Sequence, residues 1–261
     1  MTDAWPCPPY RIDREPQFLF IATPPYSGST ALAEILNGGH RTAFLQARAE
    51  GQWLIPGMCE ADRWNPQKSI DWTSVRAVWM ERIERMVEES GRGAQVALVI
   101  EKSPPNLVRL GQLIEAFPNH LLMAFNRNPY ASCSSILYRK YDADAKTRQE
   151  RIAMVSRLAA DWLFRSRWIK HWSDALRLRY FSYESFCEDP TACISHLAAN
   201  APALKSVDVN RRIKVKDYEV QGLVNFNDRQ VSKLTTADID AISAALDNHR
   251  ALLAFFGYEI R

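Results

Sequence analysis

The chain has 261 residues, 47% hydrophobic and 24% charged, with 33 basic and 30 acidic side chains. That composition suits a folded globular chain whose core needs no disulfide or metal staple, and a net charge of +3 is too weak to argue for nucleic-acid binding. No apolar run approaches the ~20 residues of a membrane span, and the polar, proline-rich start "MTDAWPCPPYRIDREP" does not read as a signal peptide.

The five cysteines (Cys7, Cys59, Cys133, Cys187 and Cys193) are scattered, and none forms a CxxC pair or has a histidine at metal-ligand spacing. Reduced thiols and a cytoplasmic location are the expectation.

Along the chain, four short apolar runs read as buried strands: 18–22, 97–100, 121–125 and 178–183. Helical patterns lie between them. The first covers 29–37 and stops at Gly38-Gly39. Others cover 75–89, 106–117 and 148–172, the last with apolar positions from Ile152 to Trp168. A final helix is capped by Thr235, with Asp238 as its capping-box partner, and runs through Ile239, Ile242, Leu246 and Leu253 to Gly257. Strands alternating with helices imply an α/β fold with a parallel sheet covered on both faces. We expect one domain over residues 1–261. The stretch 42–74 reads as irregular, and a long irregular insertion of this kind suits a lid over an acceptor.

The segment "PPYSGSTAL" follows the first strand and enters a helix directly. A helix N-terminus offers free N–H groups and partial positive charge, which suits a phosphate or sulfate. Gly28 permits close approach of the backbone, and Ser27, Ser29 and Thr30 supply hydroxyls. A nucleoside-triphosphate P-loop would need a lysine before the final Ser or Thr, but Ser29 stands there. The second strand ends in Glu101-Lys102 and the third in Asn126-Arg127, so positive charge follows both and no acid marks a clear magnesium site. After the third strand, "FNRNPYASCSS" puts Arg127 and the serines 132, 134 and 135 near a helix start, which makes a second oxyanion site. Read singly, each feature fits equally well as helix capping, a surface lysine or a salt bridge.

Taken in order, these segments resemble the PAPS-dependent sulfotransferases of the bacterial type. "PPYSGSTAL" resembles their 5′-phosphosulfate loop. "FNRNPYASCSS" resembles their 3′-phosphate motif, with Arg127 and Ser135 as its arginine and serine. "VIEKSPPN" is similar to a segment of the heparan-sulfate branch. "RYFSYESFCEDP", "NFNDRQVSKLT" and "FFGYEI" are similar to later parts of the family. The resemblance runs over residues 18–260, with 40–95 unmatched.

It implies a P-loop-like three-layer fold, a central parallel sheet flanked by helices. It implies in-line sulfuryl transfer from PAPS to a hydroxyl or amine of a small-molecule, lipid or sugar acceptor, releasing PAP, without a metal. The donor site would hold Tyr26, Ser27, Gly28, Ser29, Thr30, Arg127, Ser135 and, in a C-terminal basic loop, Lys216. The family usually has Lys or Arg where Tyr26 stands, a cation that stabilises charge on the leaving oxygen. Lys102 is the expected substitute. The general base is expected at Glu50, with His40 and Glu60 as the other candidates, and Glu184 is expected to anchor the turn after the fourth strand. Trp53, Trp64, Trp72 and Trp79 either line the acceptor pocket or belong to the core. Two alternatives stay open: a P-loop small-molecule kinase, and a PAP- or nucleotide-binding module without catalysis.

Overall fold

A computed structural model describes residues 15–89, 96–215 and 219–261. Its centre is a five-stranded parallel sheet: β1 (Gln17–Ala22), β2 (Thr42–Phe44), β3 (Leu98–Glu101), β4 (His120–Asn126) and β5 (Arg179–Ser182), in spatial order β2-β3-β1-β4-β5. Phe20 of β1 stands opposite Glu101 on one side and Leu122 on the other. Ser182 of β5 stands opposite Asn126.

Side chains alternate across a strand, and β1 divides accordingly. Phe18, Phe20 and Ala22 join one core with Trp79, Phe117 and Trp162, whereas Leu19 and Ile21 join a second core with Leu32, Phe125 and Phe186. Both faces are therefore covered, which is why the strands read as continuous apolar runs. One face is packed by α2 (Trp72–Glu89), α3 (Leu110–Ala116), α4 (Pro129–Lys140) and the long α5 (Arg148–Leu176), the other by α1 (Ser29–Leu36), α6 (Tyr183–Glu188) and α7 (Pro190–Ala198). The C-terminal part adds α8 (Asn227–Val231), α9 (Thr236–Leu246) and α10 (Arg250–Phe255), with α9 packed on α5.

Several expected elements shift. The stretch 42–74 is not wholly irregular, because Thr42–Phe44 pairs in parallel with β3 as an edge strand. The helix expected over 106–117 begins as a 3₁₀ helix, Pro104–Arg109, and turns α-helical only at Leu110. The last helix does not run unbroken to Gly257. A 3₁₀ turn at Asp247–His249 separates α9 from α10. The expected cap is present: Thr235 and Asp238 form a reciprocal capping box.

The parallel sheet puts the ends of β1, β3, β4 and β5 on one edge. The chain leaves β1 for β2 on one side of it and later crosses from β3 to β4 on the other, so the edge holds a topological switch point beside β1, where open α/β sheets place their ligands.

Candidate active site

A cavity of about 360 Å³ opens at this edge. Its walls come from the loop before α1 (Tyr26, Gly28, Ser29, Thr30), the end of β3 (Lys102), the segment after β4 (Arg127, Ser135) and the insertion (Glu50). Eight of the ten residues named from the sequence thus meet in one pocket. Ser27 does not line it: its hydroxyl is fully buried and lies 2.6 Å from that of Thr23. Lys216 falls outside the described residues.

The loop is shaped for close approach to a ligand. Gly28 caps α1 at φ +86°, in the left-handed region, and a Cβ there would sit 2.3 Å from the Tyr183 ring. Tyr26 also has positive φ, 62°, an uncommon state for a bulky residue and one that marks functional loops. No side chain caps α1, whose first N–H groups have no intrahelical acceptor. With Gly28, Ser29 and Thr30 on the cavity wall, that end suits an oxyanion.

Tyr183 joins this loop to Arg127. Its ring lies against Gly28 and also under the Arg127 guanidinium, 4.3 Å from the ring centroid. The Tyr183 hydroxyl donates to the Val224 carbonyl and accepts from the Phe226 N–H, which ties the 221–226 segment over the pocket. Burial pushes the Tyr183 phenol well above its ordinary range despite the nearby Arg127 charge. Arg127 Nε donates to Asn227 Oδ1 at 2.7 Å, and Asn227 donates on to Glu184. Glu184 also accepts from the Asn128 N–H and the Tyr258 hydroxyl, so it fixes the turn after β4 and the start of α8 together. Sequence reasoning missed Tyr183 and Asn227 as site residues. Their one legible signal was position, since Tyr183 ends the last apolar run and Asn227 sits in "NFN". Of the serines at the start of α4, Ser135 faces the cavity, whereas Ser134 donates to the Gln230 carbonyl.

Lys102 is only 2% exposed. Its Nζ lies 2.8 Å from Glu50 Oε1 and 3.5 Å from Thr30 Oγ1. The other Glu50 oxygen accepts from Gln52 Nε2 and from the Trp53 indole N–H, both at 3.0 Å. Burial raises the Glu50 pKa, but the Lys102 charge and the bonds from Lys102, Trp53 and Gln52 outweigh it, so the carboxyl ends below its ordinary value.

Glu50 lies 52 residues before Lys102, and the end of β3 brings them together. Lys102 N–H donates to the Ala49 carbonyl at 2.6 Å, Glu101 Oε2 accepts from the Gly51 N–H at 2.7 Å, and Ser103 Oγ accepts from the Gln52 N–H. Three successive residues of β3 and its continuation therefore clamp residues 49, 51 and 52, with Glu50 held between them. Gly51 has no room for a side chain. A Cβ would lie 2.8 Å from both Glu101 Oε2 and Leu45 Cδ1. Burial lifts the Glu101 carboxyl to about 7, against the pull of bonds from Ser103 and Gly51 and of the Lys102 charge.

The other base candidates stand elsewhere. His40 is exposed, at the opposite edge of the sheet beyond the end of α1. Glu60 is exposed and paired with Lys68. Of the tryptophans, Trp53 and Trp64 line the cavity, Trp79 is fully buried in the core, and Trp72 packs against that core.

Among the described residues, no group of three or more His, Cys, Asp and Glu side chains is placed to hold a metal ion, and no helix is long and apolar enough to cross a membrane.

A model of the sulfotransferase family matches residues 16–201. The chain belongs to the sulfotransferase family. The matched part carries β1 to β5, the anion loop, Lys102, Arg127 and Glu50. Solved structures share the fold at low identity. A sulfotransferase from Alicyclobacillus acidocaldarius is 15% identical, with 94% of this chain and 97% of that one covered and a TM-score of 0.54. The sulfotransferase STF9 from Mycobacterium avium is 12% identical, with 95% and 79% covered and a TM-score of 0.57. The sulfotransferase domain of the Synechococcus PCC 7002 olefin synthase is 17% identical, with 99% and 100% covered and a TM-score of 0.50. No curated protein matches the sequence. Membership of the family supports sulfuryl transfer as the general activity, and the three-layer fold expected from the sequence is the fold observed.

Proposed function

We propose that this sulfotransferase takes its sulfuryl group from PAPS and passes it to a hydroxyl or amine, releasing PAP. The observation that carries the reading is the Gly28–Tyr183–Arg127 contact, which joins the start of α1 to Arg127 at one cavity and so supports a pair of oxyanion sites there. A donor with a phosphosulfate at one end and a 3′-phosphate at the other needs such a pair, whereas a single phosphate does not.

The residues present fit that donor. The uncapped start of α1, with Gly28, Ser29 and Thr30, would hold the phosphosulfate. Arg127, fixed by Asn227, and Ser135 would hold the 3′-phosphate. PAPS supplies the activated sulfuryl group. Lys102 stands 3.5 Å from Thr30 Oγ1 and takes the place of the cation missing at Tyr26, steadying negative charge that develops on the leaving oxygen. Glu50 is ionised at neutral pH and accepts the proton of the acceptor. Its pairing with Lys102 lowers its basicity. When Lys102 turns toward the donor, Glu50 loses that partner and its affinity for a proton rises. The Trp53 and Gln52 bonds keep the carboxylate aimed while this happens.

The chain acts as one domain in this reading, with the insertion as its acceptor lid. The free thiols of Cys59, Cys133, Cys187 and Cys193 support a reducing, cytoplasmic setting.

Sulfuryl transfer from PAPS to a panel of alcohols and amines tests the assignment. Lys102→Ala and Glu50→Gln should each lower turnover by roughly 10²-fold or more. Near-normal turnover in Lys102→Ala would remove Lys102 from the chemistry. Tight PAP binding without transfer would favour a nucleotide-binding module, and magnesium-dependent ATP turnover would favour a kinase.

A further inference from the structure

Among the described residues, the cavity wall carries five cationic side chains, Arg48, Arg63, Lys102, Arg127 and Arg139, against one carboxylate, Glu50, which is already paired with Lys102. Resting on the donor reading above, Arg127 and Lys102 belong to the donor, and Arg139 lies one helical turn beyond Ser135, on the 3′-phosphate side. Arg48 and Arg63 remain. Both come from the insertion, as do Glu50 and Trp53, which also line the cavity, Trp53 with 61% of its surface exposed.

Arg48 stands on a constrained turn, and Arg63 is held by its side chain. Arg48 and Ala49 adopt consecutive left-handed conformations, φ 64° and 59°. Two such non-glycine residues in a row are costly, and the turn is secured by the bond from the Lys102 N–H to the Ala49 carbonyl. The strained turn carries Arg48 to the pocket two residues before Glu50. Arg63 Nη1 donates to the Cys59 carbonyl at 3.0 Å, which orients its guanidinium. The Cys59 thiol in turn contacts the Gln52 carbonyl, linking Arg63 to the same clamp. Among the described residues, neither Arg48 nor Arg63 has a carboxylate partner within ion-pair distance. Two cations beside a proton acceptor, without counter-charge, make a poor site for a neutral alcohol and a good one for an oxyanion.

We propose that the acceptor is itself anionic: it bears a carboxylate, sulfate or phosphate close to the hydroxyl or amine that is modified, and Arg48 and Arg63 bind that group. Trp53 and Trp64 flank the body of the acceptor. The anion positions the nucleophile toward Glu50, and it also disfavours neutral analogues, which would leave both arginines without an anionic partner.

The test uses pairs of hydroxyl compounds that differ only in an acidic group: 4-hydroxyphenylacetate with 4-hydroxyphenylacetamide, glucuronate with glucose, and glucose 6-phosphate with glucose. Each is titrated against the PAP-loaded protein, with thermal stabilisation as the readout, and against the Arg48→Gln/Arg63→Gln double variant. Acidic members should stabilise the wild type at concentrations at least roughly tenfold lower than their neutral partners, and that advantage should vanish in the double variant while the melting shift from PAP alone persists. The carboxylate and phosphate arms separate the two sources of negative charge. Equal response to acidic and neutral members, or no response to any acidic member, overturns the proposal. So does loss of the PAP shift in the double variant, which would assign both arginines to the donor. Failure of PAP to shift the wild type is a different failure, that of the donor reading.

Discussion

Replacing Glu101 by Gln isolates the energetics of the clamp that carries Glu50. The Glu101 carboxyl is buried to 1% exposure, accepts from Gly51 and Asn106, and is raised from an ordinary value of 4.5 to about 7 because burial disfavours its charge. The unfolded chain gives up this proton first, near pH 4.5, so between pH 4.5 and 7 the folded state binds more protons than the unfolded one. Folding stability contributed by the protonated acid is fully present below pH 4.5 and is lost as pH rises through about 7. At ~1.4 kcal/mol per pH unit the whole loss is ~3 kcal/mol. Glutamine keeps an oxygen for the Gly51 N–H and cannot ionise. Glu34 is also raised by burial, against the charges of Arg211 and Lys102, so the slope for the wild type alone is mixed, but Glu34 is common to both proteins. Urea unfolding of both at pH 5, 6, 7 and 8 should show the Gln variant gaining about 2–3 kcal/mol on the wild type between the extremes. A stability difference that stays flat over that range refutes the reasoning: Glu101 would then ionise as an ordinary carboxylate, and its burial would be compensated in some other way.

Two further predictions concern the same edge of the sheet. Gly51→Ala forces a methyl group to 2.8 Å from Glu101 Oε2 and 3.0 Å from the Trp79 ring. It should cost about 1–3 kcal/mol by urea unfolding and depress turnover further by moving Glu50, and a stable, fully active variant would contradict the clamp. Asn227→Ala removes the acceptor of Arg127 Nε and should weaken PAP binding roughly tenfold or more by calorimetry, with AMP binding changed much less. Equal losses for both nucleotides would take Arg127 away from the 3′-phosphate.

Much of this edge was legible in the sequence because strand ends and helix starts are local signals. The runs around Phe20, Ile100 and Phe125 marked buried strands, and the residues that follow each one fell at the site. What lay in long-range pairing was not legible. β2 is three residues long and is a strand only because β3 binds it, so Thr42–Phe44 offers no alternation to read. The apolar period through Ile242, Leu246 and Leu253 carries across the break at Asp247–His249, since a 3₁₀ turn advances the chain without resetting which side faces the core. α2 starts at Trp72, before the apolar period from Val75 that marks it in the sequence, and Asp71 accepts from the Thr73 and Ser74 N–H groups, a capping signal present in "DWTS". The position of Glu50 depends on three bonds to residues 101–103, which no spacing within the insertion encodes. Tyr183 is not legible as a site residue, because a tyrosine at a strand end has no chemical signature until its ring is seen between Gly28 and Arg127.

The proposal that two oxyanion sites are spaced for one nucleotide is tested directly by thermal melting with PAP, AMP and ATP. At 100 times its dissociation constant PAP should stabilise the protein by ~2.7 kcal/mol, and AMP, which lacks the 3′-phosphate that Arg127 and Ser135 are proposed to hold, should give a much smaller shift at the same concentration. Equal shifts from PAP and AMP, or a shift from magnesium-ATP alone, would contradict it.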